Sequence, residues 1–275
     1  METCDVLYFS DKVFENLIFI PVIVNGIEVT ALFDTGAGMS FVSKSIVEQF
    51  GELRMKSSVT GGNNQGITNS YQTICVDSIQ IGNTIWKEQT AGILPDEALD
   101  FGEDSQHNRF PASMLLGWDL ISMLCWEMDM NKRMVRMYPG GTMPQNNSLS
   151  WDSFPIINMN HAGSDYPMGF DSGHTDSFLD DTWTIRLGDL KEAGAVIHGV
   201  GSVSEEEVKI VDEFSFAIDK TDLTLYQIEI VQHPVYGAAG HQICGLFGVD
   251  IVCGAKWVID YQSRYFAISN IVEKE

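Results

Sequence analysis

Two short runs of this 275-residue chain carry the same chemical groups. Phe33-Asp34-Thr35-Gly36-Ala37-Gly38-Met39-Ser40-Phe41 lies near the start, and Phe170-Asp171-Ser172-Gly173-His174-Thr175-Asp176-Ser177-Phe178 just past the middle. Each offers a carboxylic acid, a hydroxyl and a glycine in that order, framed by Phe, with Ser six residues after the acid. An Asp-Thr/Ser-Gly tripeptide arises by accident in roughly one chain in ten of this size, so a single copy would mean little and a matched pair means much more. Two carboxyls held close together cannot both ionise; they share one proton and titrate as a unit. The ionised acid can then deprotonate a water while the protonated one donates to a carbonyl oxygen, which is acid–base chemistry suited to hydrolysing an amide.

Facing acids need two similar frames, and the rest of the chain repeats to supply them. Leu115-Leu116-Gly117-Trp118-Asp119-Leu120 lies downstream of the first motif and Leu246-Phe247-Gly248-Val249-Asp250-Ile251 downstream of the second. With Gly117 on Gly248, Trp126 falls on Trp257, Asp129 on Asp260 and Arg133 on Arg264, without a gap from Leu115 to Met137. Asp34 precedes Gly117 by 83 residues (117 − 34) and Asp171 precedes Gly248 by 77 (248 − 171), so the halves differ only by small loop changes. Each half reads as β-structure. Leu17 to Val24 is apolar and branched, Asn25-Gly26 is a hairpin turn pair, and Ile27 to Phe33 runs into the first acid. Pro155 to Met159, a turn around His161 to Asp165, and Tyr166 to Phe170 follow the same order less cleanly. Further hairpins are expected at Ile74 to Ile81 with Thr84 to Ile93, and at Val211 to Ile218 with Leu223 to Val231. The best helical signal is Ser43 to Phe50, with Ser as a possible cap and Gly51 as the stop.

The order of apolar strand, Asp-Thr-Gly-Ala, glycine-rich segment and apolar-apolar-Gly resembles the retropepsin-like aspartic peptidases. Its duplication resembles their bilobal, pepsin-like relatives, over roughly residues 17 to 138 and 154 to 270. The resemblance implies an all-β, bilobal acid-protease fold of two retropepsin-like β-barrel lobes. The N-terminal lobe would cover 1–140, a breaker-rich linker 141–152, and the C-terminal lobe 153–275. In that family the terminal strands of two subunits interleave, so the linker would fuse a homodimer into a chain active as a monomer.

The resemblance further implies that Asp34 and Asp171 form the catalytic pair of an aspartic endopeptidase acting on a peptide or protein substrate, with no cofactor and no metal. Thr35 and Ser172 would bond across the two loops, while Gly36 and Gly173 let main-chain N–H groups approach the carboxylates. Ala37 is the small residue the family usually places next, and Gly117 and Gly248 mark the chain crossings beneath the catalytic loops. A flap is expected at Val59 to Gly66, including Thr60, Gly61 and Gly62, with a counterpart at Ile197 to Ser202, including His198 and Gly199. His174 departs from the family pattern. Protonated beside Asp171, it would favour the ionised form of that acid and leave the shared proton on Asp34; turned to solvent, it would do neither. His174 and the less regular second half also support an alternative, an inactive two-lobed relative that binds a peptide or protein partner in its groove.

Composition narrows the remaining classes. A net charge of −22, from 38 acidic and 16 basic residues, argues against nucleic acid or an anionic membrane as partner. Cys4, Cys75, Cys125, Cys244 and Cys253 form an odd, scattered set, and Glu2, Asp5 and Asp11 precede the first apolar run where a basic leader would stand. A reduced cytoplasmic setting is the simpler expectation. His107, His161, His174, His198, His233 and His241 show no metal-ligand spacing, and Gly199-Val200-Gly201 lacks the third glycine and helix of a nucleotide loop. Tyr71, Trp86, Phe101, Met114 and Trp118 could line a groove or fill the core.

Overall fold

The computed structural model describes residues 5–62, 68–146, 148–150, 154–188, 190–199, 202–236 and 240–269. Short two-residue turns set the register of its hairpins. Asn25 and Gly26 both take positive φ (49° and 82°), the mirror-image turn whose twist matches that of the flanking strands, and Val24 pairs with Ile27 across it. Ala162 and Gly163 repeat the turn at 50° and 82° between His161 and Ser164. Asn tolerates this left-handed conformation and Ala does so less readily, which is why the second turn is weaker as a sequence signal.

These hairpins close into two six-stranded barrels. In the first, Phe19–Val24, Ile27–Phe33, Met114–Leu116, Phe41–Ser43, Thr84–Leu94 and Thr73–Ile81 follow one another, and Ile23 and Val24 pair with Gln80 and Ile79 to complete the ring. In the second, the order is Ile156–His161, Ser164–Phe170, Gly245–Phe247, Phe178–Leu179, Thr221–Val231 and Ser202–Ile218, closed by Met159 on Ile218 and Asn160 on Ala217. Every strand of one ring has its counterpart in the other. Arg54–Met55 in the first lobe, and Leu149–Ser150 and Lys191–Gly199 in the second, add to the sheets outside these rings.

A separate five-stranded sheet joins the lobes, in the order Asp5–Tyr8, Met134–Pro139, Leu124–Asp129, Lys256–Asp260, Tyr265–Ser269. Its central pairing is between the two copies of the duplicated segment. The copies are offset by 131 residues (248 − 117), and Glu127 pairs with Val258, its own equivalent, so the pseudo-twofold axis passes between them. Phe33 packs edge-on against Trp126 and Trp257 at 5.0 and 6.2 Å, and Phe170 against Trp257 at 5.5 Å. The Phe that opens each acid motif is therefore part of the apolar joint between the lobes.

The symmetry breaks where the lobes are tied together. Asp260 is fully buried and accepts from Gly141 N (3.0 Å), Met143 N (3.1 Å), Ser263 N (3.2 Å) and Ser263 Oγ (3.0 Å). Its counterpart Asp129 accepts from Lys132 N at 3.0 Å and faces Lys132 Nζ and Lys256 Nζ at 3.7 and 3.6 Å. Asn146 then donates to Phe266 O at 2.9 Å and accepts from Phe266 N at 3.4 Å. Phe266 is the equivalent of Val135, which pairs with the main chain of Leu7; among the described residues a side-chain amide from the connecting segment takes the place that the strand Asp5–Tyr8 holds on the other side. The segment after Pro139 is thus docked onto the second half of the sheet.

The helix expected over 43–50 is a single turn, Lys44–Val47, ending at Glu48 before Gly51 is reached. Ser43 Oγ lies 3.3 Å from Ser45 Oγ and makes no capping bond, while Ser45 Oγ donates to Asp96 at 2.8 Å. The strand expected over 211–218 is the end of the longer Ser202–Ile218, and its turn is the tight Asp219-Lys220. Trp86, Met114 and Trp118 are buried core, whereas Tyr71 and Phe101 are half-buried against it. Among the described residues no helix is long and apolar enough to cross a membrane.

Asp260→Ala strands three main-chain N–H groups at the joint, two of them in the docked segment. It should lower unfolding stability by about 3 kcal/mol or more, against roughly half that for Asp129→Ala, read from urea midpoints at constant m-value.

Candidate active site

Asp34 and Asp171 each follow directly on a barrel strand, and each begins where a parallel neighbour holds it. Leu116 pairs with Phe33 and its carbonyl accepts Asp34 N at 3.0 Å; Phe247 pairs with Phe170 and accepts Asp171 N at 2.9 Å. The chain then turns sharply. Asp34 Oδ1 accepts from Gly36 N (3.0 Å) and Ala37 N (2.9 Å), and Asp171 Oδ1 from Gly173 N (2.8 Å).

The two loops exchange hydrogen bonds across the lobe boundary. Thr35 Oγ1 donates to Phe170 O at 2.8 Å and accepts from Ser172 N at 2.9 Å. Ser172 Oγ donates to Phe33 O at 2.6 Å and accepts from Thr35 N at 3.1 Å. Both hydroxyls are fully buried, and all four bonds span more than 130 residues of chain.

This exchange sets each acid against the other loop's glycine. A Cβ on Gly36 would lie 2.3 Å from Asp171 Cγ, and one on Gly173 would lie 2.7 Å from Asp34 Cγ. Any side chain there would displace the opposing carboxyl, so glycine is required by close approach. Asp34, 8 % exposed, has its carboxyl pushed well above the ordinary 3.8, first by burial and then by the neighbouring charge of Asp171. The two N–H donors pull the other way and are outweighed. Asp171 is half-buried.

Gly117 and Gly248 lie where the crossing strands touch the acid loops. A Cβ on Gly117 would meet Met39 O at 2.4 Å and Ala37 O at 2.8 Å; one on Gly248 would meet His174 O at 2.8 Å. His174 itself is turned along its own loop. Its Nδ1 is 2.7 Å from Asp176 O, and its ring meets Phe178 edge-on at 5.8 Å. Its main-chain N–H donates to Asp171 O at 3.1 Å, where the equivalent Ala37 N reaches a carboxylate oxygen.

Thr60, Gly61 and Gly62 belong to the strand Val59–Gly62, paired with Thr68–Tyr71, while 63–67 lie outside the described residues. A Cβ on Gly61 would lie 3.4 Å from the Tyr71 ring, which packs edge-on against Phe41 at 5.2 Å. This hairpin is thereby anchored on the strand that leaves the first acid loop. His198 and Gly199 end the strand Lys191–Gly199 and pair with Val203 and Ser202; Val200 and Gly201 lie outside the described residues.

Sequence reasoning noted Ser40, Ser177, Asp119 and Asp250 as repeated residues and gave them no role. Ser40 Oγ donates to Asp119 Oδ1 at 2.8 Å, and Ser177 Oγ to Asp250 Oδ1 at 2.5 Å. The spacing was visible, but partners 79 and 73 residues apart are not.

Two barrels presenting paired Asp-Thr/Ser-Gly loops define the bilobal aspartic-proteinase class of fold. The likeness extends to a crystal structure of aspartic proteinase from Irpex lacteus, with a TM-score of 0.55 and 11% identity over 98% of each chain. Residues 20–120 match the family described as aspartyl protease. Comparison with curated proteins finds no match. The family match lies within the first lobe, and the structural likeness carries the same two-lobed fold through the rest of the chain.

Thr35→Val deprives Ser172 N of its acceptor and Phe170 O of its donor in a buried site, and should cost about 2–5 kcal/mol by chemical denaturation. Asp34→Asn should act in the opposite direction. Because the native state raises this carboxyl's affinity for its proton, its contribution to stability is complete below the unfolded value and is lost as pH rises through the native one. The Asn variant should therefore melt higher than wild type at neutral pH, with the difference vanishing below about pH 3.8. Equal melting temperatures across that range would contradict the burial argument.

Proposed function

We propose that this chain is an aspartic endopeptidase in which Asp34 and Asp171 share one proton and activate a water against the scissile carbonyl. The observation that carries this reading is the reciprocal approach of each carboxyl to the other lobe's glycine, closer than a Cβ would allow. Asp34, more deeply buried and pushed upward, suits the role of proton holder and donor to the carbonyl oxygen. Asp171, half-buried and bonded once through Oδ1, suits the base that takes the proton of the attacking water. As the C–N bond breaks, Asp171 would pass the proton it took from water to the leaving amine, and Asp34 would take back the hydroxyl proton as the carbonyl re-forms. The substrate would be a peptide or protein held beneath the hairpin that carries Thr60 to Gly62, with no cofactor required. Since one polypeptide contributes both acids, a monomer suffices; nucleic acid and anionic membranes are disfavoured as partners by the −22 net charge.

Digestion of a peptide library across about pH 4 to 8 tests this. Wild type should cut at internal bonds, and Asp34→Asn and Asp171→Asn should each lower kcat/KM by about 10²–10⁴-fold, with the double variant little worse. The high-pH limb should lie well above the ordinary carboxyl value, because activity is lost when Asp34 gives up its proton. A statine-type transition-state analogue should block cleavage. Binding of that analogue without cleavage at any pH would overturn the enzyme reading in favour of a groove that only binds.

A further inference from the structure

Each lobe contains a second, half-buried carboxylate that the hydrolytic reading leaves unused. In the first lobe, Gly117 N donates to Ser40 Oγ at 3.0 Å, Ser40 Oγ donates to Asp119 Oδ1 at 2.8 Å, and Leu120 N reaches the same oxygen at 3.0 Å. In the second, Gly248 N donates to Ser177 Oγ at 3.1 Å and Ser177 Oγ to Asp250 Oδ1 at 2.5 Å. Ile251 N meets that oxygen at 3.0 Å, and Ser177 N meets Oδ2 at 2.8 Å. The serines are buried. Burial pushes both carboxyls upward, and the serine hydroxyls pull them back.

We propose that Asp119 and Asp250 are positioning residues for the paired acids, each acting through a buried serine on the loop that carries one acid and a glycine N–H on the crossing strand. The inference rests on the hydrolytic reading above and extends it. An ionised carboxylate only accepts, so the serine hydroxyl must donate to it and keeps its lone pairs for the glycine N–H. That polarity fixes the crossing strand against the acid loop. The next N–H along then completes the link: Trp118 N donates to Ala37 O at 2.7 Å, and Val249 N to His174 O at 2.9 Å. Ala37 N in turn donates to Asp34 Oδ1 at 2.9 Å, and His174 N to Asp171 O at 3.1 Å. From Asp119 to Asp34 the path is a continuous run of hydrogen bonds and peptide units. The set Asp, Ser six residues on, Gly, and Asp two residues after that Gly recurs in both halves, while its neighbours differ: Trp118 against Val249, Met39 against Asp176. A purely space-filling role would not need a charged acceptor in both lobes, since buried ionic groups seldom add stability over apolar packing.

The test removes the hydroxyls and spares the acids. Ser40→Ala and Ser177→Ala should lower kcat by about 10- to 100-fold with KM within about twofold, the signature of misplaced reacting groups rather than lost binding. Ser40→Thr and Ser177→Thr, which keep a hydroxyl, should restore most of the rate. In Ser40→Ala the titration of the Asp34 carboxyl, followed by ¹³C NMR, should move up, because the Ala37 N–H that lowers it is no longer held. An unmoved Asp34 titration, with kcat per folded molecule unchanged and only the unfolding midpoint lowered, would reduce these residues to structural ones. If wild type cuts no peptide but the titration moves as expected, the positioning role stands and the peptidase reading falls.

Discussion

Four buried hydrogen bonds between Thr35 and Ser172 and the main chain of the opposite loop hold this molecule's two halves in one arrangement. Each hydroxyl both gives and takes, so neither loop can shift without orphaning a donor and an acceptor out of reach of water. The position of the acids follows from that constraint. With the loops locked, each carboxyl comes to rest on the other lobe's glycine, and the two acids approach closely enough for one to suppress the ionisation of the other.

The duplication explains why the arrangement is almost symmetric, and the departures from symmetry fall at the paired acids. Glu127 pairs with its own equivalent Val258 at the axis, the barrels close through matching strands, and the serine–carboxylate relays repeat. Against this background Ala37 N reaches a carboxylate oxygen while His174 N reaches a main-chain carbonyl. Asp34 is also the more deeply buried of the pair. Two acids in identical settings would divide their proton evenly. These differences place the two acids in unequal electrostatic settings, with burial outweighing the two N–H donors at Asp34.

Two lobes in one chain place one more requirement on it, because a connecting segment must cross the inter-lobe sheet. Its main-chain N–H groups end on Asp260 and the Asn146 amide ends on Phe266, so the connection satisfies an edge that would otherwise face solvent unpaired. The equivalent Asp129 has no such segment to hold and instead faces two lysines. One ancestral residue type has thus acquired different partners on the two sides of the axis.

Local conformation and repetition were legible in the residues themselves. Asn25-Gly26 announces its turn, apolar alternation announces the strands beside it, and the recurrence of Asp-Thr/Ser-Gly and apolar-apolar-Gly at nearly constant spacing announces two lobes. Where the code was weaker, as at Ala162-Gly163 or the one-turn helix at Lys44–Val47, boundaries blurred because few residues specify them. Only the folded chain decided which oxygen each hydroxyl meets, that Ser40 and Ser177 bond half-buried carboxylates, that the His174 ring lies against Asp176 and Phe178, and that the Asp34 carboxyl is driven upward. The reason is physical. Turn and strand preferences act between neighbours along the chain, whereas desolvation, hydrogen-bond choice and carboxyl repulsion depend on groups brought together from as far as 139 residues away.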